Sequence, residues 1–130
     1  MNGTRLHVSD TDALLDSLLV TGFPYDVHQK LGPLITMFSA FLGQARAVRR
    51  LGSAALDLCY VAAGRFDGFW EQSLRPWDVA AGALIVEEAG GRITGMDGTR
   101  FDPAAAHLVA SNGRIHEAML QVIKRAEAQT

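Results

Sequence analysis

A single cysteine, Cys59, stands in the 130-residue chain. That excludes an internal disulfide and leaves too few thiols for a zinc cluster. It lies in the apolar run Leu56-Asp57-Leu58-Cys59-Tyr60-Val61, where a buried, unreactive thiol is expected. Long apolar runs are also missing. The hydrophobic stretches are short and interrupted, so neither a membrane span nor a signal peptide is expected, and the expected location is the cytoplasm. Charge of one sign is lacking too. Twelve Lys and Arg face fourteen Asp and Glu, a formal charge of -2, so no basic field invites nucleic acid. His7, His28, His107 and His116 are scattered without ligand spacing, and there is no internal repeat or low-complexity linker.

What remains is an ordinary globular composition, 48% hydrophobic and 20% charged, long enough for one domain with a substantial core. Leu6 and Val8 alternate as in a short strand after the Asn2-Gly3 turn. Ser9 or Asp10 is placed to cap a short helix through Leu15. Residues 17–22 read as a fully buried strand. Leu31, Leu34, Ile35, Phe38, Phe41, Leu42 and Ala45 recur at helical spacing within residues 29–47, with Gly32 and Pro33 disturbing the first turn. Residues 48–51 form a strand, and Ser53 caps a helix running through Ala63 to Gly64. Residues 66–71 are strand-like and aromatic. A helix from Pro76 follows, then strands at 92–94 and 107–111, a turn at Asp97-Gly98, and a last amphipathic helix carrying Ile115, Met119, Val122 and Ile123. Strands alternating with long helices predict an α/β layered domain with a mostly parallel sheet flanked by helices.

In such sheets ligands gather at strand C-terminal ends and helix N-termini, and three positions qualify. Gly52-Ser53-Ala54-Ala55 opens a helix after a strand, so its N–H groups and the Ser53 hydroxyl can cap that helix or meet ligand oxygens. Glu71 closes an aromatic strand, either as a solvated strand end or as an acceptor for sugar-like hydroxyls. Asp78 is the third residue of the helix that Pro76 begins, beside unpaired N–H groups and the positive helix end. It can serve as a cap or as a ligand to a hard cation, though one carboxylate does not make a Mg²⁺ site. Arg49 and Arg50 flank the preceding strand, and Asp97-Gly98-Thr99 sits in a plain turn.

Gly52-Ser53-Ala54-Ala55, Phe69-Trp70-Glu71, Pro76-Trp77-Asp78-Val79-Ala80-Ala81-Gly82 and Glu88-Ala89-Gly90-Gly91, with Asn2-Gly3, Val8-Ser9, Thr21-Gly22-Phe23-Pro24-Tyr25 and Ser111-Asn112-Gly113, cover nearly the whole chain. Together they resemble the C-terminal half of the inositol monophosphatase family, closest to its bacterial extragenic-suppressor-type members.

The resemblance implies Mg²⁺-assisted hydrolysis of a phosphate monoester, with inositol phosphate or a similar sugar phosphate as substrate. The cations activate water and stabilise the leaving oxygen. It implies that Asp78 ligates Mg²⁺, that Glu71 accepts hydrogen bonds from inositol hydroxyls, and that Gly52, Ser53 and Ala54 line the ring. Arg49 falls near the substrate and a dimer interface. The family's D-P-x-D-G-T motif and G-E-E segment are absent, so no residue of this chain is expected to activate water. Residues 1–16 are then the remnant of an N-terminal antiparallel sheet region and its connection, and residues 17–130 the C-terminal α/β domain. Little activity is expected of the chain alone, and a homo-oligomer or a complementary N-terminal half is the expected partner. A non-catalytic interaction or regulatory domain that keeps the fold and dimer surface is the competing reading.

Overall fold

A computed structural model describes residues 5–22, 31–72, 76–105 and 107–129, the side chains of Pro76, Asp78 and Ala105 excepted. Among the described residues five strands and four α-helices follow in the order β1 (Leu18–Thr21), α1 (Leu31–Gln44), β2 (Ala47–Arg50), α2 (Ala54–Ala62), β3 (Gly68–Glu71), α3 (Pro76–Glu88), β4 (Arg92–Thr94), β5 (Leu108–Ser111) and α4 (His116–Ala128). No helix among the described residues is long and apolar enough to cross a membrane.

The strands form one sheet in the order β2-β1-β3-β5-β4. β1 pairs in parallel with both β2 and β3, whereas β5 is antiparallel to β3 and to β4. Four strands therefore run the same way and β5 alone runs against them. The fold is the expected α/β class, with the mostly parallel sheet made mixed by β5. The reason is local. Among the described residues between β4 and β5 there are turns, an isolated Thr94–Arg100 bridge and the short 3₁₀ helix Pro103–Ala105, too little for a parallel crossover, so β5 slots between β3 and β4 from the opposite end.

Alternation along the strands sorts the two layers. Val20, Phe69, Leu108, Ala110 and Ile93 pack with Leu58, Val61, Val79, Ala83 and Val86 of α2 and α3. Leu19, Trp70 and Val109 pack with Met37 and Phe41 of α1 and with Met119, Val122 and Ile123 of α4. Phe41 stacks on Trp70 with ring centroids 3.9 Å apart. Because both faces of the sheet are covered, the central strands are apolar without a break.

Three local expectations are corrected. Leu6 and Val8 are not in a strand. The Val8 N–H donates to Ala89 O at 3.1 Å and the Val8 side chain is buried, so the segment docks on the end of α3 instead of a sheet edge. Ser9 caps no helix, because its hydroxyl donates to Asp67 Oδ1 at 2.5 Å; only the 3₁₀ turn Leu14–Asp16 forms there. Cys59 is half-buried, not buried, since Leu58, Val61 and Ala62 take the inward face of α2. Gly32 and Pro33 lie inside α1, which begins at Leu31 among the described residues. His28 falls outside the described residues.

Candidate functional site

The common direction of β1, β2, β3 and β4 gives the sheet one carboxyl edge. At the end of β2 the backbone turns through Gly52 with φ +93°, a left-handed conformation that costs glycine little. An added Cβ there would meet nothing within 4 Å, so this position calls for glycine by its backbone angle and not by crowding. The turn delivers Ser53, whose hydroxyl oxygen accepts the Leu56 N–H at 3.3 Å, and α2 starts at Ala54. The cap is therefore made. The remaining N–H groups of the first turn point toward the edge, as helix geometry requires.

Arg49 lies one residue before the end of β2 and pairs in register with Val20. Val20 belongs to the α2–α3 layer, so Arg49 rises from that face, where it is solvent-exposed. Glu71 ends β3 two residues after Phe69 of the same layer. It is half-buried, and its carboxylate lies across Gly22 so closely that a Cβ at Gly22 would collide with Glu71 Oε1. The Thr21 hydroxyl donates to Trp70 O at 2.6 Å and fixes the ends of β1 and β3 together. α3 begins at Pro76, with Asp78 as its third residue; the Asp78 side chain lies outside the described residues.

The structure thus brings Gly52, Ser53, Ala54, Arg49, Glu71 and the start of α3 to one edge of one layer. Gly22 and Asp57 complete that region, and neither was given a site role by sequence reasoning, although Gly22 lies in the Thr21–Tyr25 stretch that carries the resemblance. For Gly22 the available signal was the Thr-Gly pair closing a buried strand. Asp57 carried none, because a lone acid in a helix's first turn reads as a dipole partner. It is instead 1% exposed, and among the described residues neither carboxylate oxygen has a hydrogen-bond partner. Burial pushes its pKa up to about 6.

The opposite, amino edge holds polar groups of another kind. Asp67 accepts the Ser9 hydroxyl and, at 2.7 Å, the Leu18 N–H. Asn112 donates to Ser9 Oγ and to Thr11 O and accepts the Arg114 and Ile115 N–H groups. His116 is fully buried, with Nε2 2.8 Å from Thr94 Oγ1 and Nδ1 2.7 Å from Ser111 Oγ. The Thr94 hydroxyl donates to Gly95 O, which leaves its oxygen to accept from Nε2–H and assigns the Ser111 hydroxyl as donor to Nδ1. Burial first, then the Arg92 charge, lower the His116 pKa to about 4, against the opposing pull of Glu117. A neutral, sealed imidazole between two hydroxyls is a fastener, with no access for substrate. Asp97, past the carboxyl end of β4, is held by the Thr99 N–H and hydroxyl in an exposed turn.

Among the described residues no three His, Cys, Asp or Glu side chains converge to hold a metal ion. The donor set described for this chain therefore does not fit a Mg²⁺ site, which needs several oxygen ligands.

Residues 1–128 match the sequence profile of the inositol monophosphatase family. Nus factor SuhB of Pseudomonas aeruginosa is 45% identical over 126 residues, covering 95% of this chain and 46% of its own. Inositol-1-monophosphatase of Synechocystis sp. is 43% identical over 123 residues, covering 95% and 43% respectively. The structure of an inositol monophosphatase from Anabaena (Nostoc) sp. superposes with a TM-score of 0.91 at 44% identity, over 95% of this chain and 49% of that one. The chain spans about half the length of the relatives it matches.

Proposed function

Because the chain belongs to the inositol monophosphatase family, we propose that it forms the C-terminal, substrate-facing half of a Mg²⁺-dependent phosphatase acting on inositol phosphates or similar sugar phosphates. In this reading Glu71 accepts hydrogen bonds from ring hydroxyls, Gly52, Ser53 and Ala54 line the ring, Arg49 faces the anionic group, and Asp78 supplies one ligand to Mg²⁺. The remaining ligands and the groups that activate water come from a complementary N-terminal half. Residues 1–16 are the connection to that half, and residues 17–130 are the α/β domain. The proposed setting is the cytoplasm, with a homo-oligomer as an assembled form.

One observation carries the reading: Ser53, Glu71 and the start of α3 meet on the carboxyl edge of a single layer, where α/β sheets present ligand sites. The test is to mix the purified chain with a separately produced N-terminal half containing D-P-x-D-G-T and measure Mg²⁺-dependent phosphate release from inositol 1-phosphate. Release is expected from the mixture and not from either half. Release by this chain alone would refute the division of labour.

A second reading, a non-catalytic interaction domain, is favoured by the lack of a converging metal donor set among the described residues. It also fits the names of relatives, which include Nus factors beside inositol-1-monophosphatases. A mixture that forms a stable complex yet releases no phosphate would select it.

A further inference from the structure

We propose that Asn112-Gly113 is a deamidation site held shut by residues 9–11, and that the reaction releases those residues from the amino edge irreversibly. Asparagine followed by glycine is the most reactive pair for this chemistry, because no side chain on the second residue hinders its nitrogen. The Gly113 nitrogen bonds to Asn112 Cγ, the Cγ–Nδ2 bond breaks, and Nδ2 leaves as ammonia carrying the Gly113 amide proton. Water then opens the cyclic imide, to aspartate at one carbonyl or to isoaspartate at the other. The fold needs the very glycine that makes the pair reactive. Gly113 has φ +89°, and since a Cβ there would meet nothing within 4 Å, the backbone angle alone selects it.

In the folded chain both ends of the reaction are tied down. The Gly113 N–H, the attacking group, donates to Ser111 Oγ at 3.0 Å. Nδ2, the leaving group, donates to Ser9 Oγ at 3.1 Å and to Thr11 O at 2.7 Å. Oδ1 accepts the Arg114 and Ile115 N–H groups at 2.9 and 3.2 Å, so the partners fix which way the amide faces. Asn112 is 5% exposed, which leaves ammonia no exit until the partners of Nδ2 move. Those partners lie in residues 9–11, which form no helix or strand, and such a segment opens at lower cost than the sheet beneath it. Reclosing fails after the reaction. An aspartate at this position still accepts from Arg114 and Ile115, so the entry to α4 survives. Toward Thr11 O it sets one acceptor against another. Ser9 has a single hydroxyl proton and gives it to Asp67 Oδ1, so the new carboxylate would be buried there without a donor.

Peptide mass mapping over time tests the gate, on the native chain and on the chain unfolded in urea. Ser9→Ala removes one partner of Nδ2 and the tie to Asp67, whereas Phe41→Leu loosens the core against Trp70, toward the other end of β3. Deamidation at Asn112 is expected to be at least about tenfold slower in the native chain than in urea. Ser9→Ala is expected to speed the native reaction by about fivefold, the factor for one lost hydrogen bond, and Phe41→Leu to leave it within about twofold of the parent. A native rate equal to that in urea overturns the proposal. So does a Ser9→Ala rate no faster than the parent's, or one that Phe41→Leu matches at equal loss of urea stability. Asn112→Asp tests the release, with far-UV circular dichroism as the check on folding. Hydrogen exchange at the Val8 N–H, which donates to Ala89 O in the parent, should quicken by about tenfold or more while the Phe69 amide inside the sheet stays protected. Val8 protection equal to the parent's would refute the release. The rate comparison stands whether or not this last variant folds.

Discussion

The two edges of the sheet are built on opposite principles. At the amino edge every buried polar group described above is engaged: Asp67 by Ser9 and Leu18, Asn112 by four partners on both sides of its amide, His116 by two hydroxyls. These bonds join residues up to 103 positions apart, so this edge holds the chain's entry, middle and end together. At the carboxyl edge Asp57 is buried and unsatisfied among the described residues, Arg49 is exposed, and Glu71 leans over a glycine. Satisfied networks hold a fold together, whereas unsatisfied buried groups cost stability and cluster where function is retained. Stability lives at one edge and chemistry is proposed for the other. Matched substitutions at the two edges can break that contrast.

The largest effect is expected at Gly91, just before β4. A Cβ there would lie 2.5 Å from Ser111 O and 2.6 Å from Val86 Cγ1. The first obstacle is backbone held in the β5 ladder, so nothing can move aside cheaply. Gly91→Ala should lower unfolding stability by about 3 kcal/mol through overpacking, measured by urea titration. A loss under about 1 kcal/mol would show that the amino edge yields more readily than its bonding implies.

Next in size is the pH response of the two buried titrating groups. Asp57 is raised to about 6, so the unfolded chain releases that proton first. Its contribution is full below the ordinary carboxylate value of 3.8 and is lost as pH rises through about 6. His116 is lowered to about 4, so its contribution is full above 6.5 and is lost as pH falls toward 4. The slopes oppose each other across the same window, and stability should be nearly flat there. Asp57→Asn removes one slope. It should gain about 1–2 kcal/mol at pH 7.5, lose that advantage near pH 4, and unmask a steep acid decline from His116. A variant whose advantage does not change with pH would show that Asp57 titrates alike in the folded and unfolded chain, contrary to its burial.

These contrasts also mark what could be read before any coordinates. Apolar spacing located most of the strands and helices among the described residues, and α3 was located by its Pro76 start and Gly90-Gly91 stop. The cap at Ser53 and the glycine stops were legible for the same local reason. Val8 was misread because two alternating residues cannot distinguish a strand from a segment docked on a helix end. The reversal of β5 depends on the short path from β4, and the burial of Asp57 depends on how α2 meets the sheet. Neither is a property of nearby residues. Ser53, Glu71 and Asp78 were legible as positions at strand and helix ends. Gly22 could be understood only once Glu71 was seen to lie across it.

A smaller effect is expected at Ser53. Ser53→Ala removes the acceptor of the Leu56 N–H and should cost about 1 kcal/mol, whereas Ser53→Asp keeps an acceptor there and should cost a few tenths. If the hydroxyl acts only as a cap, phosphate release in the mixed-half assay should follow that order. If it also meets substrate, both variants should lose activity together. Comparing urea midpoints with initial rates separates the two outcomes.

The smallest stability effect is expected at Gly22, the carboxyl-edge counterpart of Gly91. Here too a Cβ would collide, but with Glu71 Oε1, the far end of a flexible side chain. Gly22 does not have a positive φ, so alanine brings no backbone strain, and rotating Glu71 outward relieves the clash. Gly22→Ala should therefore stay within about 1 kcal/mol of the parent. The displaced carboxylate would no longer stand where ring hydroxyls are proposed to meet it, so the mixed-half assay should show a raised KM with a much smaller change in kcat. The reverse pattern, a large loss of stability with KM unchanged, would make Glu71 part of the fold's fastening. The two edges would then no longer differ in kind.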